Sequence, residues 1–211
     1  MHHKRDMGIR SALIVGALAV VVSAAAQTDS HSLHDMAKLN RLSKISARFR
    51  DAQKNGEFAK AKSIIETELI PEQGERANYD RLARLEFEMG DIDGAEKNFD
   101  EFRRLHPVPL EETGWSLSMK IFGKMIAAAK SKSLPIWTDL RPTGNGYTPL
   151  TIIDSECQMA IASGYVRTAN AYLVELPKAG EPDYSIAILR KRVEELVRKQ
   201  AEYQAAKHAE P

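Results

Sequence analysis

Apolar residues recur at helical spacing along most of the chain, in short runs broken by glycine. Between Arg76 and Pro107, one stripe is formed by Tyr79, Leu82, Ala83, Leu85 and Phe87. Gly90 and Asp91 interrupt it, and Ile92, Ala95, Phe99, Phe102 and Leu105 form a second that stops at Pro107. The pattern predicts two short antiparallel helices with one turn between them. Upstream, Leu39, Leu42, Ile45, Phe49 and Ala52 mark a helix ending at Asn55 and Gly56; Phe58, Ala61, Ile64, Ile65 and Leu69 mark another ending before Pro71. Downstream, Ile153, Cys157 and Ile161 precede Gly164, and Val166, Ala169, Leu173 and Leu176 follow it, with Pro177 and Pro182 closing the pair. A pair of such helices cannot bury its own apolar faces, so the pairs are expected to stack on one another.

The landmarks repeat. Gly56 and Gly90, Ala61 and Ala95, Ile65 and Phe99, and Ile45 and Tyr79 each lie 34 residues apart. Gly164 lies 74 residues beyond Gly90, room for one degenerate unit and an insertion. In that middle unit Trp115, Leu117, Ile121, Phe122, Met125 and Ile126 give one helix, and Gly123 and Ala128 repeat the glycine and alanine spacing. Lys130 and Lys132 stand where a second apolar stripe should run. Residues 131–148 form a turn-rich insertion carrying Trp137 and Tyr147. A last helix, from about Asp183 through Ile186, Leu189, Val193, Leu196 and Tyr203, is placed to cap the array.

Counted from Arg76 as position 1, Tyr79, Leu82, Ala83, Gly90, Ala95, Phe99 and Pro107 carry the residue classes of the tetratricopeptide repeat, and the 34-residue interval is that family's period. Glu86 and Phe102 depart from it. The chain thus resembles an all-α protein of antiparallel helix-pair repeats, an α-solenoid of about three recognisable units, one degenerate unit and a C-terminal capping helix, over residues 33–207. The resemblance implies that the first helix of each pair lines a groove. The residues pointing into it would be Ser43, Ser46, Arg50 and Gln53, then Ala77, Asp80, Arg84 and Phe87, then Thr151, Asp154, Gln158 and Ile161. Arg50 and Arg84, 34 apart, could hold a carboxylate or an acidic peptide through paired hydrogen bonds. The asparagines with which some members clamp a peptide carboxyl terminus are absent from these positions.

Charge and composition narrow the function. The 211 residues carry 30 basic and 29 acidic side chains, so nothing in the balance suggests a nucleic-acid partner held through phosphates. Lys4, Arg5 and Arg10 precede an uncharged run, Ser11 to Ala26, that ends in small residues. This reads as a signal peptide of residues 1–26, followed by a loose segment, 27–32. The uncharged run has 16 residues, against the ~20 that cross a bilayer. Without the signal the chain carries 27 basic and 28 acidic residues, a net charge of −1, and the single cysteine, Cys157, excludes an internal disulfide.

Catalytic signatures are weak. His31 and His34 have a metal-like spacing but no evident further ligand, and Cys157 has no neighbouring histidine or cation to activate it, so packing is its expected role. The acidic pairs Glu66 and Glu68, Asp91 and Asp93, and Glu111 and Glu112 fall at helix starts, turns or solvated faces. The expectation is therefore a periplasmic or secreted protein-binding or scaffolding module of a bacterial envelope, not an enzyme, with no cofactor or metal. Its partner would be a protein or peptide, met through Arg50, Asp80, Arg84, Phe87, Gln158, Trp137 and Tyr147. Two alternatives stand beside it: an envelope-complex subunit anchored in the membrane by an uncleaved N-terminus, and an enzyme with its site in the 131–148 loop.

Overall fold

The computed structural model describes residues 35–107, 113–131, 140, 142–143 and 146–209. The expected signal peptide, the segment 27–32, His31, His34, Glu111, Glu112 and Trp137 lie outside the described residues. The chain divides into two compact units, residues 1–44 and 45–211, and the packing below is that of the second.

All regular structure among the described residues is helical. Helix α1 spans 35–54. After the turn at Gly56 come α2 (Phe58–Ile64), one π-helical turn (Ile65–Leu69) and α3 (Ile70–Gln73), which run on as one rod. Then follow α4 (Tyr79–Met89), α5 (Ile92–Leu105), α6 (Gly114–Ser131), α7 (Pro149–Ser163), α8 (Val166–Ala179) and α9 (Asp183–Ala209). Neighbours in sequence pack as neighbours in space from α4 to α9, and α4 also rests against α2 and α8.

The predicted bends are where the glycines place them. Gly56, Gly90 and Gly164 adopt φ of 72°, 86° and 84°, the left-handed conformation that ends a helix without a Cβ clash. Five residues beyond each, Ala61, Ala95 and Ala169 are fully buried, as small residues at close helix crossings should be. Asp91 caps α5 by accepting from the Gly94 N–H at 3.0 Å. Phe122 of α6 takes the edges or faces of Phe87 and Phe99, with ring centroids 5.8 and 5.2 Å apart, and so fastens α4 and α5 to α6.

Three expectations need correcting. The rod beginning at Phe58 does not stop before Pro71. A π-helical turn, Ile65–Leu69, lies just ahead of that proline, and the rod continues through Pro71 to Gln73. Gly123, which falls within the predicted helix, lies inside α6. A Cβ there would come within 2.9 Å of Phe99 Cε1, so this glycine marks the close approach of α5 and α6. Pro177 does not close the third pair, because it lies in the last turn of α8, where it removes few helix bonds, and the helix ends at Gly180 with φ of 93°. Leu39, expected on a core face, is exposed.

Candidate functional site

A cluster of charged and polar side chains lies inside the second unit, where α4, α6, α7 and α8 meet. Arg84 Nε donates to both carboxylate oxygens of Asp80 at 3.1 Å, one helical turn before it, and its Nη1 donates to Glu156 Oε2 on α7 at 3.0 Å. The Ser118 hydroxyl of α6 donates to Glu156 Oε1 at 2.5 Å, and the Tyr172 hydroxyl of α8 lies 3.4 Å from Oε2. The guanidinium also covers the Phe122 ring, 4.7 Å from its centroid. Burial opposes the charge on Arg84, but Asp80 and Glu156 outweigh it and hold the guanidinium protonated even more firmly than usual. Burial and then Glu156 push the Tyr172 phenol well above its ordinary range.

Two further buried glutamates tie α4 to its neighbours. Glu86 receives Lys62 Nζ from α2 at 2.8 Å and Asn98 Nδ2 from α5 at 2.6 Å. Glu88 accepts from the backbone N–H groups of Arg167 and Thr168, at 2.7 and 2.9 Å, and from the Thr168 hydroxyl at 3.0 Å. It thereby caps α8, whose own N-cap residue, Tyr165, supplies no side-chain cap. Burial raises the Glu88 carboxyl, and the three bonds to α8 draw it part of the way back.

Chemically these groups satisfy one another. Glu156 has three polar partners and sits 5% exposed, an arrangement suited to a fixed cross-tie. Cys157 is fully buried, with its thiol 3.7 Å from the Ala169 carbonyl, and burial followed by Asp154 pushes it up to about 12. His106 faces the Phe102 carbonyl at 3.2 Å through Nδ1 and Arg76 Nε at 3.4 Å through Nε2. Among the described residues no group of three or more His, Cys, Asp and Glu is placed to hold a metal ion. No described helix is long and apolar enough to cross a membrane.

The residues expected to line a groove are distributed between inside and outside. Phe87 is buried against Phe122, and Arg84 and Asp80 are engaged with each other and, through Arg84, with Glu156. Arg50 is exposed on α1, and Gln158 is exposed on α7, donating to Asp154 at 2.9 Å. Tyr147 is exposed, with its ring packed over Gly114. Glu156, Ser118, Tyr172 and Glu88 did not emerge from the repeat pattern. Glu156 stands one residue before the core position Cys157 in the helical run Ile152 to Ala162, but Asp154 is a second carboxylate in the same run, so the pattern did not single it out. Comparison of the chain with protein-family models, with characterised proteins and with solved structures finds no match.

Proposed function

We propose that this chain is an exported protein-binding or scaffolding module of a bacterial envelope, built as a short α-solenoid of tetratricopeptide-like helix pairs. The observation that supports this reading is that Gly56, Gly90 and Gly164 stand at bends and that Ala61, Ala95 and Ala169, five residues beyond each, are fully buried. That is how successive helix pairs nest. Helix-pair arrays commonly serve as surfaces for other proteins, and the inference to function is one of fold likeness. The charged interior holds the array together, which leaves Arg50, Gln158 and Tyr147 as the exposed members of the expected partner surface.

Photo-crosslinking residues introduced singly at Arg50 and Gln158, with Asp100 as an outward-facing control, test this in intact cells. A discrete protein adduct at the first two positions, absent at the third, is expected. Identical patterns at all three positions would remove the surface from consideration. N-terminal sequencing of the exported protein is expected to begin near Gln27; a start at Met1 or Met7 in the membrane fraction would favour the anchored form.

A further inference from the structure

Helix α9 is held in two different ways along its length. Its buried residues, Ile186, Leu189 and Val193, all fall in the first eleven positions, where the helix packs on α7 and α8. From Gln200 onward no described side chain is buried. That stretch is instead attached by polar contacts. Gln200 Nε2 donates to the Gly164 carbonyl at 2.9 Å and the Lys54 carbonyl at 3.2 Å, Gln204 Nε2 to the Asn55 carbonyl at 3.0 Å, and Lys207 Nζ to Glu57 Oε1 at 2.6 Å.

Residues 200, 204 and 207 share one helix face, and what they meet is a row of acceptors. The Lys54 and Asn55 carbonyls belong to the C-terminal end of α1, whose last carbonyls have no partner within the helix. Glu57, nearly buried, takes Lys60 Nζ on its other oxygen at 3.0 Å. Beside these contacts lies a cleft of about 470 Å³, lined by Asn55 to Lys60 on one wall and by Gln200, Ala201, Gln204 and Lys207 on the other.

We propose that the last turns of α9, from Gln200 onward, form a polar strap that lifts off as a unit before the rest of the domain unfolds. Its release bares the acceptor row formed by the Lys54, Asn55 and Gly164 carbonyls and the Glu57 carboxylate, and opens the cleft. A helix this short, detached and without apolar anchorage, has little stability of its own, so docking and helicity are lost together. The strap does not depend on the protein-binding reading above and stands or falls separately.

Amide hydrogen exchange on the full chain, followed by NMR over a series of low urea concentrations, tests it. Residues 200–207 should exchange through an opening that is almost independent of urea. Residues 186–193 and α8 should open only with the strong urea dependence of global unfolding. Gln200→Ala and Gln204→Ala should each lower protection in the strap roughly tenfold and leave residues 186–193 unchanged. The proposal is overturned if the strap shares the urea dependence of residues 186–193, if either substitution weakens both regions equally, or if the wild-type strap shows no protection at all.

Discussion

Replacing glycine by alanine at two of the left-handed positions separates backbone strain from close approach. Gly180 and Gly164 have nearly the same φ, 93° and 84°, and both end a helix with the next turn immediately beyond. Around Gly180 nothing lies within 4 Å of the place an alanine methyl would take, so Gly180→Ala carries only the left-handed penalty of about 1 to 2 kcal/mol. At Gly164 the same methyl would press on the end of α1, 2.8 Å from Lys54 Cα, 2.9 Å from Gln53 C and closer still to the Gln53 carbonyl oxygen. These are backbone atoms, and Gln53 is further fixed by its side-chain bond to the Tyr165 hydroxyl. Relief requires α1 and the α7–α8 turn to part, which adds the roughly 1 to 3 kcal/mol typical of overpacking, for a total of about 2 to 5 kcal/mol. Gly90→Ala should fall between them, because its methyl would meet only the guanidinium of Arg167, 2.5 Å away at the end of a flexible side chain that can swing aside. Urea unfolding with a common m-value reads the three differences directly. If Gly164→Ala costs no more than Gly180→Ala, within about 0.5 kcal/mol, the contact between the first and third hairpins is not as described.

Three further outcomes follow from the same packing. Ala95→Leu, at a fully buried crossing, should lower stability in urea by roughly 1 to 3 kcal/mol. Arg84→Met, which strands the buried Glu156 carboxylate, should cost about 3 to 5 kcal/mol; in a double-mutant cycle with Glu156→Gln, the two changes should couple by more than about 0.5 kcal/mol. Cys157 should fail to react with a thiol reagent at pH 8 until urea unfolds the chain, since its thiol is buried and pushed up to about 12. Its folded value lies above the ordinary 9.0, so the protonated thiol favours the fold below pH 9 and that contribution is lost as pH rises from 9 towards 12. Burial moves Tyr165 and Tyr172 in the same direction, so the urea midpoint should fall steadily above pH 9.

The helices and their bends were legible because they depend on local rules: apolar spacing marks a buried face, and glycine supplies a positive φ. Those rules do not say what Gly123 is for, since a glycine at a bend and a glycine under a neighbouring ring look alike until the neighbour, Phe99, is in place. Pro71 was misread because the π-helical turn just ahead of it has no recognisable sequence mark. The groove positions were assigned as though each pair met only the next. Arg84 is engaged by Glu156 of α7 and Phe87 by Phe122 of α6, and the contacts of α4 with α7 and α8 join residues more than seventy positions apart, beyond the reach of any periodicity.

Three of the buried glutamates, Glu86, Glu88 and Glu156, explain why these packed helices settle in one arrangement. An apolar helix face tolerates sliding, because leucine and isoleucine pack acceptably in several registers. Glu86, Glu88 and Glu156 do not, since each reaches its partners from a single position: Lys62 and Asn98 for the first, the α8 N-terminus for the second, and Arg84, Ser118 and Tyr172 for the third. Sliding by one turn, about 5.4 Å, would leave a carboxylate desolvated and unpaired, a penalty of several kcal/mol. These ties therefore do little to raise the stability of the correct arrangement over a well-packed apolar one, and much to lower that of its rivals. They also link α4 to α2, α5, α7 and α8 at once, so that α4 is tied directly to the helices on either side of it in sequence and to the pair that follows the insertion.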